Sequence, residues 1–339
     1  MKRLPSTTLA LGLLLCATAP AAAPAKKCVI EPAPTVLAST IAAAPCHLPS
    51  KGVEQAVRTE ITKRFRPVHE GGAAAVAFSC DGLGPQVREI TIEQGGGHGG
   101  SLSIWRALRR ADGKYDVRGI AYRGGSMVRP APNPPFELAS GVVALPDLAK
   151  ARAALSASVS ENWLPTPPNR SRRMSFSSST HDFHLVVRLV DGDGRVLERR
   201  YTGYEDSRHQ DRTLGLELAR EALTPMTSLA TARQPPDATD QALFVERFNS
   251  AAPHFDDQFY WWVKERYVDL ARYLGTSATV RGLLTRLATS KPGRSESDTR
   301  ANAVDALARI TGWDAREGGA SVEDAAARYL AECAAPPAP

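Results

Sequence analysis

Two histidine-bearing stretches are where the residue types of this chain come nearest to chemistry. In His181-Asp182-Phe183-His184 two imidazoles and a carboxylate fall within four residues. On a helix the two rings would share a face and could hold a metal. On a strand they point to opposite faces and the cluster is ordinary strand-end polarity. The second stretch, Gly95-Gly96-Gly97-His98-Gly99-Gly100, fits G-x-G-x-x-G. A dinucleotide loop would need a helix directly after it and an acid about 20 residues on. The hairpin signal Asp112-Gly113 instead makes the residues from Leu102 to Leu108 a strand, so the glycines read as a hairpin loop in which His98 has neighbours that admit close approach. His98, His181 and His184 are therefore the catalytic candidates, and no metal or cofactor is expected.

Other motifs fail on spacing. Asp191-Gly192-Asp193-Gly194 opens like a calcium loop, but Arg195 and Val196 follow and no Glu closes it, which leaves a hairpin turn. His69-Glu70 lacks the second His of a zinc-protease helix, and Gly124-Gly125-Ser126-Met127-Val128 lacks the trailing Gly of a nucleophile elbow. The adjacent acids Glu205-Asp206 and Asp256-Asp257 splay apart on any regular backbone.

The elements that carry these residues alternate in period. Residues 51–65 read as a helix from Val53, Val57, Ile61 and Phe65, with Ser50 as its cap. Residues 75–78, 87–92, 102–108 and 115–122 read as strands between Gly or Asp-Gly turns, and 136–145 as another; 146–159 read as a helix opened by Pro146. The Pro-, Arg- and Ser-rich stretch 162–180 marks a break. Strands at 184–190 and 195–201 and a helix at 211–223 follow. Beyond Gln234-Pro235-Pro236 only helices are expected, near 239–250, 256–274, 277–289, 297–311 and 321–333. The expected fold is an α+β region, an antiparallel sheet with flanking helices, over 26–234, followed by an all-α bundle over 235–335 and a tail at 336–339.

The stretch Ser297 to Gly312, with its early acid and Arg, its aliphatic face Ala303, Leu307 and Ile310, and its Gly stop, resembles the second helix of a bacterial HEAT-like repeat. With Trp313-Asp314 and the closing helix, the resemblance covers about 70 residues, 266–335, and at most two helix pairs. It implies protein binding on a concave face and brings no catalytic residues. Phe255, Phe259, Tyr260, Trp261, Trp262, Tyr267 and Tyr273 form the aromatic concentration of the chain. They read as interdomain core or as a binding platform, with Tyr260, Trp261, Trp262 and Trp313 the candidate binding residues.

The first 25 residues have the layout of a secretory signal peptide: Lys2 and Arg3, an apolar run to Cys16, then small residues. A lipid anchor at Cys16 is the alternative, though Leu15 stands where a lipobox has a small residue. Removing 1–25 takes Lys2 and Arg3 and lowers the formal charge from +6 to +4. The cluster Arg170, Arg172 and Arg173 is too short for a nucleic-acid face, so no nucleic-acid partner and no membrane-spanning segment are expected. Cys28, Cys46, Cys80 and Cys333 then imply two disulfides, Cys28 with Cys46 and Cys80 with Cys333 being the favoured pairing. The expected function is an exported, periplasmic or extracellular, non-enzymatic protein that binds a protein partner through its helical region. An exported hydrolase and a carbohydrate-binding protein are the alternatives.

Overall fold

A computed structural model describes residues 30, 48–67, 76–96, 101–123, 133–159, 163–165, 182–204, 210–255, 261–289, 297–317 and 321–334. In chain order the elements are α1 Lys51–Arg64, β1 Phe65–Pro67, β2 Val76–Phe78, β3 Val87–Gly96, β4 Ser101–Arg109, β5 Tyr115–Tyr122 and β6 Phe136–Val143. Next come α2 Leu148–Ser156, β7 Ala157–Val159, β8 Trp163–Pro165, β9 Asp182–Asp191, β10 Val196–Tyr204, α3 Gln210–Ala222 and α4 Thr224–Thr227. The rest is helical: α5 Ala238–Ala251, α6 Trp261–Leu274, α7 Val280–Thr289, α8 Ser297–Thr311 and α9 Val322–Ala334, with 3-10 turns at Ala252–His254 and Ser277–Thr279.

The main sheet has six antiparallel strands in the order β10-β9-β3-β4-β5-β6. Its turns follow from their glycines. Gly113 and Gly194 both have positive φ, 82° and 83°, at the tips of tight hairpins, where a Cβ would be strained. At the second of these, the buried Asp191 carboxylate accepts N–H bonds from Gly84 at 2.7 Å and from Asp193 and Arg195 at 2.9 Å each. Burial works to raise the Asp191 pKa; these three donors outweigh it and hold the carboxylate below its ordinary range. The expected hairpin at 191–194 is present, stapled by its own acid.

Two helices end earlier than expected: that over 51–65 stops at Arg64, and Phe65 opens β1. The helix read over 146–159 ends at Ser156, and Ala157–Val159 leaves it as a strand paired with β2. The Ala-rich body supports a helix, but the backbone past Ser156 is extended, which aligns Ala157 with Phe78 and Val159 with Val76. Two further short pairs, β1 with β8 and β2 with β7, lie outside the main sheet.

Alternation along the strands gives the sheet two faces. On the first, Ile90, Ile92, Trp105, Val117, Leu185 and Val187 pack with Val57 and Ile61 of α1, Ala151 and Leu155 of α2 and Leu216 and Ala219 of α3. Gly119 lies under the Trp105 ring there, so close that a Cβ on it would come within 2.4 Å of the indole. On the second face Leu102, Ile104, Ile120, Tyr122, Phe136 and Leu138 share a core with Phe244 and Phe248 of α5, Tyr267 of α6 and Leu283, Leu307 and Tyr329 beyond. Within the helical region α6 packs chiefly on α8 and α7 chiefly on α9, a stack of two helix pairs. The sheet and the C-terminal helices thus bury one another.

Candidate functional site

Register across the sheet sorts the second face into transverse rows. One runs Glu198, Arg188, Thr91, Arg106, Arg118, Ser140 from β10 to β6. Three of its six residues are arginines. Such a row under a helix is stable only if each guanidinium meets acid. Arg106 pairs with Glu89 at 3.2 Å and with Glu246 of α5 at 3.3 Å. Arg188 pairs with Glu89 at 3.5 Å and Glu246 at 3.6 Å. Arg118 reaches Asp237 at 3.0 Å and Asp240 at 3.6 Å. Those two acids form the capping box of α5: Asp237 accepts from the N–H groups of Thr239 and Asp240, and Asp240 accepts from the Asp237 N–H at 3.0 Å. Arg118 therefore ties the start of α5 to the sheet.

At one end this charged layer is sealed. Glu93 of β3 accepts a bond from Nε of Arg247 on α5, and its other oxygen lies 3.1 Å from Nε2 of His184 on β9. The Nδ1 of His184 is 2.8 Å from the Thr202 hydroxyl of β10. His184 is 0 % exposed, Glu93 1 % and Arg247 2 %. Burial would raise the Glu93 carboxyl; Arg247 and His184 outweigh it and hold the pKa at about 2. Burial works against the charge of Arg247, but Glu93 overrides it and raises the guanidinium pKa. An ionised carboxylate only accepts, so His184 donates to it from Nε2, while Nδ1 faces the Thr202 hydroxyl. Carboxylate, imidazole and hydroxyl stand in the order of a proton relay, but with the ring shut away from solvent.

At the other end the layer opens. Arg106, Arg118, Asp116, Ser140 and the α5 residues Thr239 and Leu243 line a cleft of about 450 Å³, together with Leu108 and Val142. Leu108 is 39 % and Val142 49 % exposed, large apolar side chains left in water.

The sequence-derived candidates distribute unevenly over this picture. His184 is placed in the sealed network, while His98 and His181 lie outside the described residues. Tyr260 lies outside them as well, as do the side chains of Trp261 and Trp262. Phe255 and Tyr267 are core, with ring centroids 6.2 Å apart. Trp313 packs its ring on Tyr329 at 4.6 Å, partly buried against the C-terminal core. Among the described residues no three His, Cys, Asp or Glu side chains converge on a metal-sized site. Cys28 and Cys46 lie outside the described residues; Cys80 and Cys333 are described, and neither is a free thiol.

Sequence reading missed Glu89, Thr91, Glu93, Arg106, Arg118, Arg188 and Arg247. The available signal was two acids four residues apart, on one face of the apolar strand Val87-Arg88-Glu89-Ile90-Thr91-Ile92-Glu93. No family model, no curated protein and no solved structure matches the chain.

Proposed function

We propose that the protein is exported and non-enzymatic, and that it binds a protein partner where α5, the first helix of its C-terminal region, meets the open end of the sheet. One observation carries this reading: Leu108 and Val142, both large and exposed, converge on a single cleft beside α5. Exposed apolar groups gathered at one concavity favour an apolar anchor from a partner, and the surrounding Arg106, Arg118 and Asp116 supply a polar rim. Export rests on the signal-peptide pattern of residues 1–25. No helix among the described residues is long and apolar enough to cross a membrane.

The test is substitution at the cleft. Leu108→Glu and Val142→Glu place charge where an anchor would sit. Both should abolish co-purification of the partner from the native envelope fraction while leaving the melting midpoint within a few degrees of wild type. Undiminished capture by both variants would refute the cleft as the docking place.

A second reading, hydrolysis, draws on the Glu93–His184–Thr202 order. It requires Thr202 to attack a substrate while His184 takes its proton. Ester hydrolysis lost in Thr202→Val would support it. The complete burial of the imidazole weighs against it.

A further inference from the structure

The two edges of the main sheet are finished differently. At β6, Leu138 exchanges both backbone hydrogen bonds with Ala232, each 2.8 Å, and Leu229 packs against Gly141, so a following segment runs along that edge. At β10 there is no such cover among the described residues. The bond from Asp191 N–H to Arg195 C=O fixes the alternation: odd-numbered residues of β10 bond inward to β9. The backbone groups of Val196, Glu198, Arg200 and Thr202 therefore point away from the sheet. None of the residues from Val196 to Thr202 is buried, and Val196 is 49 % exposed. A strand of nine residues without proline is an edge that invites pairing.

We propose that β10 pairs antiparallel with β10 of a second copy of this chain, about a two-fold axis at Arg199. The charge pattern of the strand selects this register. With the axis at Arg199, Glu198 of each copy lies opposite Arg200 of the other, and Val196 opposite Thr202, all on the second face. An axis at Glu198 or Arg200 would oppose two like charges on that face and form no Glu–Arg pair, whereas the Arg199 axis gains two such pairs and opposes two like charges only on the other face. All four pairs in the favoured register join residues whose backbone groups already face outward, so the hydrogen-bond ladder continues without a bulge. The two Arg199 side chains meet on the other face. Arg199 Nε already donates to the Leu155 carbonyl at 3.2 Å, which draws each guanidinium toward its own α2. The interface is isologous, as a two-fold dimer requires, and joins two six-stranded sheets into one.

Paired charge reversal tests this in the full mature chain by sedimentation velocity. Wild type should be a dimer in reversible exchange with monomer. Glu198→Arg and Arg200→Glu, alone, each oppose like charges across the axis and should weaken the dimer on the order of tenfold or more. Mixed together, the two variants should recover a one-to-one heterodimer, which a merely damaged fold cannot do. Concentration-dependent protection of the Val196, Glu198, Arg200 and Thr202 amides in wild-type hydrogen exchange gives a readout that needs no variant. A wild-type monomer at the highest soluble concentration, with these amides unprotected throughout, overturns the proposal. So does a wild-type dimer that both single reversals leave intact. A β10 edge protected equally at every dilution would mean that another segment of the same chain covers it, and would also overturn it.

Discussion

Arg247 on α5 and Glu93 on the central strand β3 form a buried ion pair between residues 154 positions apart. It joins the sheet to the C-terminal helices at a point where both charges have left water. A pair of this kind contributes little net stability over an apolar pair of the same shape, yet each half depends on the other. Arg247→Met is expected to cost about 3–5 kcal/mol, because it strands the Glu93 carboxylate. The double variant Glu93→Leu/Arg247→Met should cost less than Arg247→Met alone. Urea denaturation of the two proteins checks the order.

The same pair sets an acid limb. The Glu93 pKa is lowered in the fold from 4.5 to about 2. A lowered carboxylate contributes stability that is complete above its unfolded pKa and is lost as pH falls through the folded one. Wild type should therefore lose stability between about pH 4.5 and pH 2 as this group takes up its proton. Glu93→Gln should start less stable at neutral pH and show a shallower decline over that window. Equal slopes in thermal melts of the two proteins would contradict the assignment.

Much of this architecture is legible from periodicity. The Val57 and Ile61 stripe, the Asp112-Gly113 turn and the helical run after Pro235 each follow from local rules, and the structure has α1, the β4–β5 hairpin and α5 to α9 at those places. What local rules leave open is which element lies over which face. Glu89, Thr91 and Glu93 alternate with Ile90 and Ile92 in any half-buried strand. Only the return of α5 across the sheet, 154 residues after Glu93, makes that polar side an interior one. The cleft was illegible for the same reason: Leu108, Val142 and Leu243 meet through strand register and helix placement, neither of which is local.

Gly119 provides a local test of first-face packing. Its missing Cβ is the space filled by the Trp105 ring. Gly119→Ala should force the indole or the strand to shift and cost about 1–3 kcal/mol, read as a lower melting midpoint with unchanged far-ultraviolet dichroism. A neutral substitution would show that the ring can move freely.

The positions of the described residues predict a cysteine pairing other than Cys28 with Cys46 and Cys80 with Cys333. Cys80 sits between Ser79, bonded to Ser156 of α2, and Asp81, paired with Arg152 of α2 at 2.6 Å, on the first-face side. Cys333 on α9 packs on the second-face core. This placement on opposite sides of the sheet disfavours joining them to each other. Leu48 and Ser50 line the same hollow as Asp81 and Arg152, while Ile30 and Cys333 both pack against the other core. Cys46 precedes Leu48 by two residues, and Cys28 precedes Ile30 by two. A non-reducing peptide map of the mature protein should therefore show Cys46 with Cys80 and Cys28 with Cys333. A Cys28–Cys46 peptide would contradict this.

Binding at the α5 cleft is the central claim, and quantitative crosslinking in the native envelope fraction tests it most directly. Tagged wild type, Leu108→Glu and the control Thr62→Glu, on the exposed side of α1 over the other face of the sheet, would be compared at equal abundance. The account predicts a stoichiometric partner with wild type and Thr62→Glu, and its loss with Leu108→Glu at unchanged stability. A partner retained equally by all three proteins would contradict it.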